Sequence, residues 1–192
     1  MRRLALAVLA ALAAPACRKA PAAAPDGPPV VAVVGGEELI DFDGADGSFR
    51  CRAPARWKAL EFKDGAPAVM MIGPMSGPGR GKSTISVSRY DGVSGTVRTP
   101  REYWEAMRLA GEKPSPLETR TVAGRTAYAL HLERPQYPPH GWKVLYMNRE
   151  DVVLIPAGKG FFALSHKAPI DAYQATLAVF EAVVASFTPK AS

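Results

Sequence analysis

The sequence predicts an α+β fold, a central antiparallel β-sheet sandwiched by helices in an α/β/α arrangement. Three observations predict it. Read along the chain, the apolar pattern runs as strands, a helix, hairpin-linked strands and a closing helix. The turns between successive strands are short, which implies antiparallel pairing, because parallel neighbours need a crossover of about a dozen residues or more. The two helices carry apolar stripes of different register, so they can cover the two faces of one sheet.

Residues 30–48 read two ways: Val30 to Val34 is either a strand or the apolar end of a linker. Asp41, Asp43, Gly44, Asp46 and Gly47 read as loop. From Ser48 the pattern sharpens. Phe49-Arg50-Cys51-Arg52 alternates and stops at Pro54, and Ala68 to Ile72 is a compact apolar run before Gly73-Pro74. Ser83 to Tyr90 sets Ile85 and Val87 on one face and serines on the other, a half-buried strand. Thr99 is a good N-cap, Pro100 suits the first helical position, and Glu102 completes a capping box. That helix carries Tyr103, Met107 and Ala110 on one side and ends by Gly111.

Four strand-like segments follow, at 117–122, 125–134, 142–149 and 151–156, with Asn148-Arg149-Glu150-Asp151 read as the turn between the last two. Gly158-Lys159-Gly160 turns into a strand from Phe161 to His166. Pro169 opens the last helix, where Ile170, Tyr173, Leu177, Phe180, Val184 and Phe187 recur at helical spacing, and Thr188-Pro189 ends it.

The first residues carry an address. Arg2 and Arg3 precede an unbroken apolar run of 11 residues, Leu4 to Ala14. A bilayer-spanning helix needs about 20 residues, so the run fits a secretory h-region instead. Ala14-Pro15-Ala16-Cys17 resembles a bacterial lipoprotein signal, in which the cysteine becomes the lipidated first residue. The resemblance makes residues 1–16 a signal peptide and Cys17 the lipidation site; the alternative is ordinary cleavage after Ala16 and a secreted or periplasmic chain. Residue 18 is Arg rather than Asp, which favours the outer membrane. Residues 17–47 read as the lipidated cysteine and a Pro/Ala-rich tether, with four prolines between Arg18 and Pro29, and residues 48–189 as the folded domain.

Composition excludes several classes. Hydrophobic residues make up 47% and charged residues 22% of the 192, which argues against wholesale disorder. Two cysteines exclude a disulfide-rich scaffold and a four-cysteine zinc site. If Cys17 is lipidated, Cys51 is a lone buried thiol; in a non-lipidated form a Cys17–Cys51 disulfide is the other reading. The net charge is +6, but Arg2 and Arg3 leave with the leader, and the remaining Lys and Arg are scattered among Asp and Glu. Nucleic-acid binders cluster their cations, so no nucleic-acid partner is expected.

The motifs that resemble catalytic ones fail on spacing. Gly77 to Thr84 looks like a P-loop, but Ser76 stands where its first Gly belongs and a β-type run follows where a helix is needed. Gly92 to Thr96 lacks the last Gly of a nucleophile elbow. His131, His140 and His166 are 9, 26 and 35 residues apart, so none is at helical ligand spacing, and no metal or other cofactor is expected. Arg134 to Trp142 is a proline-stiffened loop carrying Tyr137, His140 and Trp142. Preorganised aromatics lose little entropy on binding, so these three are the candidate contact residues; the other reading folds Tyr137 and Trp142 back onto the core.

The run Gly158 to Pro189, with its aromatic strand, its Ala168-Pro169 and Tyr173 step and its closing Ser186-Phe187 and Pro189, resembles the end of PsbP-like domains. Thr99 to Tyr103 and Leu117 to Tyr128 resemble the same family, over residues 48–189 in all. The resemblance implies an antiparallel sheet between helices. It also implies a non-enzymatic binding or assembly module, because the family includes extrinsic photosystem II subunits, photosystem assembly factors and bacterial lipoproteins. The expectation is a monomeric, lipid-anchored accessory protein facing the periplasm, with the membrane and an envelope protein as partners. The alternatives are a purely structural envelope component and an enzyme whose site is cryptic in sequence.

Overall fold

The computed structural model describes residues 32–44, 46–62, 68–75, 81–92 and 97–190. Strands β1 (Ala32–Val34), β2 (Glu37–Asp43), β3 (Phe49–Pro54) and β11 (Thr188–Pro189) form one antiparallel sheet in the order β1-β2-β3-β11. A second sheet takes β4 (Lys58–Glu61), β5 (Val69–Met75), β6 (Lys82–Tyr90), β7 (Glu118–Val122), β8 (Arg125–Gln136), β9 (Tyr146–Ala157) and β10 (Gly160–Pro169). Its order is β4-β5-β6-β10-β9-β8-β7, again antiparallel throughout. Helix α1 (Pro100–Leu109) joins β6 to β7, and α2 (Ile170–Ser186) follows β10.

Alternation along the central strands sorts the core into two parts. Val153 and Ile155 of β9, Phe162 and Leu164 of β10, and Ile85 and Val87 of β6 face one side. There they pack with Val179, Phe180, Val183 and Val184 of α2 and with Leu39, Phe49 and Cys51 of the small sheet. Val152, Leu154, Phe161 and Ala163 face the other side, where Tyr103, Trp104 and Met107 of α1 cover them. One sheet between two helices is therefore too simple a picture, because α2 shares its face of the large sheet with a whole second sheet.

That second sheet corrects the reading of residues 17–47 as tether. Residues 32–34 and 37–43 are strands, and the folded domain takes them in. Gly35 and Gly36, at φ 57° and 78°, make the turn between them. Leu39 is buried, Phe42 packs against the core opposite Cys51, and the exposed Asp41 and Asp43 pair with Arg52 and Arg50 of β3, so they belong to a strand and not a loop.

The second correction concerns Asn148 to Asp151, which sit inside the 12-residue strand β9 and make no turn. Each pairs on both sides: Glu150 lies opposite Leu132 and Lys167, and Asp151 opposite His131 and His166. Charges there are tolerated because neighbours meet them. Arg134 Nε is 3.6 Å from Glu150 and 3.4 Å from Glu112 on one face. On the other, Arg149 Nε is 3.6 Å from Asp151 and its guanidinium lies 4.7 Å from the Tyr173 ring.

The predicted capping box is present, with Glu102 N donating to Thr99 Oγ1 at 3.2 Å and Thr99 N donating to Glu102 Oε2 at 3.2 Å. In α2 the buried arc is Tyr173, Thr176, Val179, Phe180, Val183 and Val184. Ile170, expected inside, is 45% exposed, and Leu177 is at the margin. The helix is flanked by both sheets, so a broad arc is covered and its centre is displaced from the narrow stripe that spacing alone selects.

Ala123 and Gly124 join β7 to β8 with φ of 47° and 76°, and Ala123 is the only described non-glycine at positive φ. An L-residue there costs roughly 1–2 kcal/mol relative to glycine-like freedom, and asparagine tolerates it better. Ala123→Asn is expected to stabilise the domain by about 1 kcal/mol. A urea midpoint at or below that of the parent chain contradicts this.

Candidate functional site

The sequence-predicted contact residues lie together on the connection between β8 and β9. Leu145 N donates to Gln136 O at 2.8 Å and Gln136 Nε2 donates to Tyr137 O at 3.1 Å, which closes the base of the loop. Above that base Trp142 is 93% exposed, Leu145 56% and Tyr137 44%, and His140 is exposed. The alternative in which Tyr137 and Trp142 fold back onto the core does not describe this structure. The loop also runs further than expected, because β8 continues to Gln136 and β9 starts only at Tyr146. Val144 and Leu145 thereby join the aromatic group as exposed apolar side chains. Cys17, the expected lipidation site, lies outside the described residues.

A second polar group went unread in the sequence. Between α2 and the β7–β9 edge is a cavity of about 130 Å³ lined by Arg120, His131, Arg149, Asp151 and Glu181. Arg120 grips Glu181 with two hydrogen bonds, at 2.7 and 3.3 Å, tying the sheet edge to α2. Tyr173 Oη donates to Asp151. Burial pushes the Asp151 carboxyl above its ordinary range, while Arg149 and His131 pull the other way. Arg149 and Asp151 share a face at i and i+2 on one strand; that alternation is the available signal, and four consecutive polar residues mask it by resembling a turn. With its acids held by Arg120, Arg149 and Tyr173, the group works as a clamp between α2 and the sheet.

His166 is fully buried in β10, its Nε2 2.9 Å from Thr176 Oγ1, with Ser83 Oγ 3.2 Å beyond. Burial lowers its pKa to about 4, so it is neutral at pH 7. Cys51 is 1% exposed and burial raises its pKa to about 12, so the thiol is a small apolar core group and a poor nucleophile. Among the described residues no three His, Cys, Asp or Glu side chains come together as a metal-binding group. No described helix is long and apolar enough to cross a membrane.

Searches of protein-family profiles and curated sequences return no match. Solved structures do match. LpqN of Mycobacterium tuberculosis, described as involved in cell envelope biogenesis, aligns over 78% of this chain and 89% of its own at 16% identity, with a TM-score of 0.50. Mog1p of Saccharomyces cerevisiae, a Ran-binding protein, aligns over 80% of this chain and 96% of its own at 12% identity and a TM-score of 0.50. The PsbP protein of Synechocystis sp. PCC 6803 (CyanoP) aligns over 85% and 97% at 13% identity and a TM-score of 0.49. At these identities the chain shares a fold with LpqN and Mog1p, and the likeness goes no further than the fold.

Proposed function

We propose that this chain is a lipid-anchored binding or assembly module of a bacterial envelope, without catalytic activity, that engages a protein partner through Tyr137, His140 and Trp142. The observation that carries the reading is the exposure of Trp142 on a loop whose base is fixed by hydrogen bonds. An indole held out in water on a rigid stem has lost little freedom still to be lost on binding, and tryptophan is enriched among residues that dominate interfaces. The leader ending at Cys17 supports the anchor, with the Pro-rich residues after it as the spacer. The shared fold with LpqN is consistent with an envelope setting.

Two measurements test it. Intact mass of the membrane-extracted protein is expected to show a chain beginning at an acylated Cys17. Crosslinked recovery of a partner from the envelope is expected to fall in Trp142→Ala by roughly thirtyfold in affinity, the loss of about 2 kcal/mol that such a residue contributes. The same variant is expected to keep the parent's stability to within about 0.5 kcal/mol, because the side chain packs on nothing. Undiminished recovery ends the loop assignment, and a mature protein with an unmodified N-terminus ends the anchor.

A further inference from the structure

Strand β8 has the Trp142 loop at its Gln136 end. At its Arg125 end the β7–β8 turn, the β9–β10 turn, the end of β6 and Lys190 border a cleft of about 570 Å³. That volume is ordinary for a small-molecule site. Four cations line it, Arg89, Arg125, Lys159 and Lys190, each from a different segment, together with Tyr90 and the carboxylate of Asp91. Two of the cations meet carboxylates from the small sheet and its loop: Lys190 Nζ is 2.7 Å from Asp43, and Arg89 is 3.9 Å from Asp46. Arg125 and Lys159 form no ion pair among the described residues, and both are exposed at hairpin turns.

The walls of the cleft are held by backbone contact. A Cβ on Gly160 would come within 1.8 Å of Tyr90 O, and one on Gly92 within 2.0 Å of Lys159 O. Only glycine lets the β9–β10 turn and the end of β6 approach this closely, so the turn bearing Lys159 is fixed against the strand bearing Tyr90. The Tyr90 ring, half-buried, stacks on Phe161 at 4.6 Å and gives the cleft an aromatic wall.

We propose that this cleft binds a phosphoryl-bearing small molecule, with Arg125 and Lys159 on the phosphoryl oxygens and Tyr90 against the rest of the ligand. A guanidinium offers paired donors to a phosphate and an ammonium adds a point charge. With Asp91 also on the wall, a ligand bearing a single negative charge gains little, whereas a phosphomonoester carries nearly two. The same chemistry comes from a free phosphorylated metabolite or from a phosphomonoester lipid headgroup, that of phosphatidic acid.

The test uses the full chain carrying Cys17→Ser, so that no acyl chain contributes, with two probes: inorganic phosphate by titration calorimetry and vesicles containing phosphatidic acid by co-sedimentation. The double variant Arg125→Ala/Lys159→Ala is expected to bind at least tenfold more weakly to whichever probe the parent binds, and Arg101→Ala, an exposed cation on α1, to bind as the parent does. Binding of phosphate identifies a free ligand, and binding of vesicles alone identifies a headgroup; either supports the cleft. Should the double variant lose cooperative unfolding, Lys159→Ala alone gives the same reading. A parent that binds neither probe, or variants that bind as tightly as the parent, overturns the proposal. Neither result bears on Trp142, which is at the other end of the sheet.

Discussion

Phe49→Ala is expected to destabilise the domain by about 3–5 kcal/mol, the range for deleting a buried aromatic ring. Phe49 is 1% exposed and is the ring at which three parts of the fold meet. Its ring stacks on Phe187 at 5.2 Å, meets Phe162 edge-on at 5.9 Å, and lies 6.2 Å from Phe42. Those partners belong to the residue capping α2, to β10 of the large sheet and to β2 of the small one. Gly44 leaves the room, since a Cβ there would come within 2.5 Å of the Phe49 ring. Phe49 lies in the core cluster shared by both sheets and α2, so a cavity there closes only if those elements shift on one another. For a domain of this size a loss of 4 kcal/mol lowers the melting temperature by roughly 10 °C. Phe49→Leu keeps much of the volume and is expected to lose about half as much. A calorimetric shift below about 2 °C for Phe49→Ala would show that the small sheet is not fastened there.

The elements that sequence reasoning located are those in which one physical signal acts alone. Ser83 to Tyr90 alternates, and it is a strand with Ile85 and Val87 buried. Thr99-Pro100 and Glu102 start a helix with a box that closes within four residues. The misreadings come where tertiary partners override a local signal. Arg149, Glu150 and Asp151 resemble a solvated turn until Arg134, Tyr173 and Lys167 are placed around them by three other elements. Asp41 and Asp43 look like loop because β2 is a mostly exposed strand in which Leu39 alone is fully buried, so it shows no alternating pattern. Arg50 and Lys190 come to Asp43 across the sheet and hold its pKa down to about 2, which no local pattern announces.

The two candidate regions differ in the same way. The Trp142 loop was legible because its prolines and aromatics are contiguous, and contiguous features survive the loss of three-dimensional information. The basic cleft was not, because it takes single cations from β6, two turns and the C-terminal end. In sequence each of those is an ordinary surface charge among acids, and the scatter that argues against nucleic-acid binding also conceals a site for a small anion.

Acidification is expected to cost this protein stability through His166, by about 3 kcal/mol between pH 6.5 and pH 4. The neutral imidazole is bonded to Thr176, stacks on the Phe180 ring at 5.4 Å and lies 5.2 Å from the tilted Tyr173 ring. Burial lowers its pKa to about 4 from an ordinary 6.5. The unfolded chain therefore takes up a proton at His166 in this interval and the folded one does not, so protons favour unfolding as pH falls from 6.5 to 4. Each pKa unit is worth about 1.4 kcal/mol. Glu150 and Asp151 act in the opposite sense: burial raises both, so the folded form takes up their protons first and gains stability as pH falls through the raised values. Asp43, held to about 2, loses its contribution only below pH 3.8. The net profile is thus a sum, and the difference between parent and His166→Gln isolates the imidazole. Glutamine keeps a donor and an acceptor beside Thr176 and does not titrate, so its urea midpoint is expected to be lower than the parent's at pH 7.5 and to converge on it by pH 4. Parallel profiles for the two chains would mean that the imidazole is protonated in the fold as readily as out of it, and that the Thr176 contact does not hold it neutral.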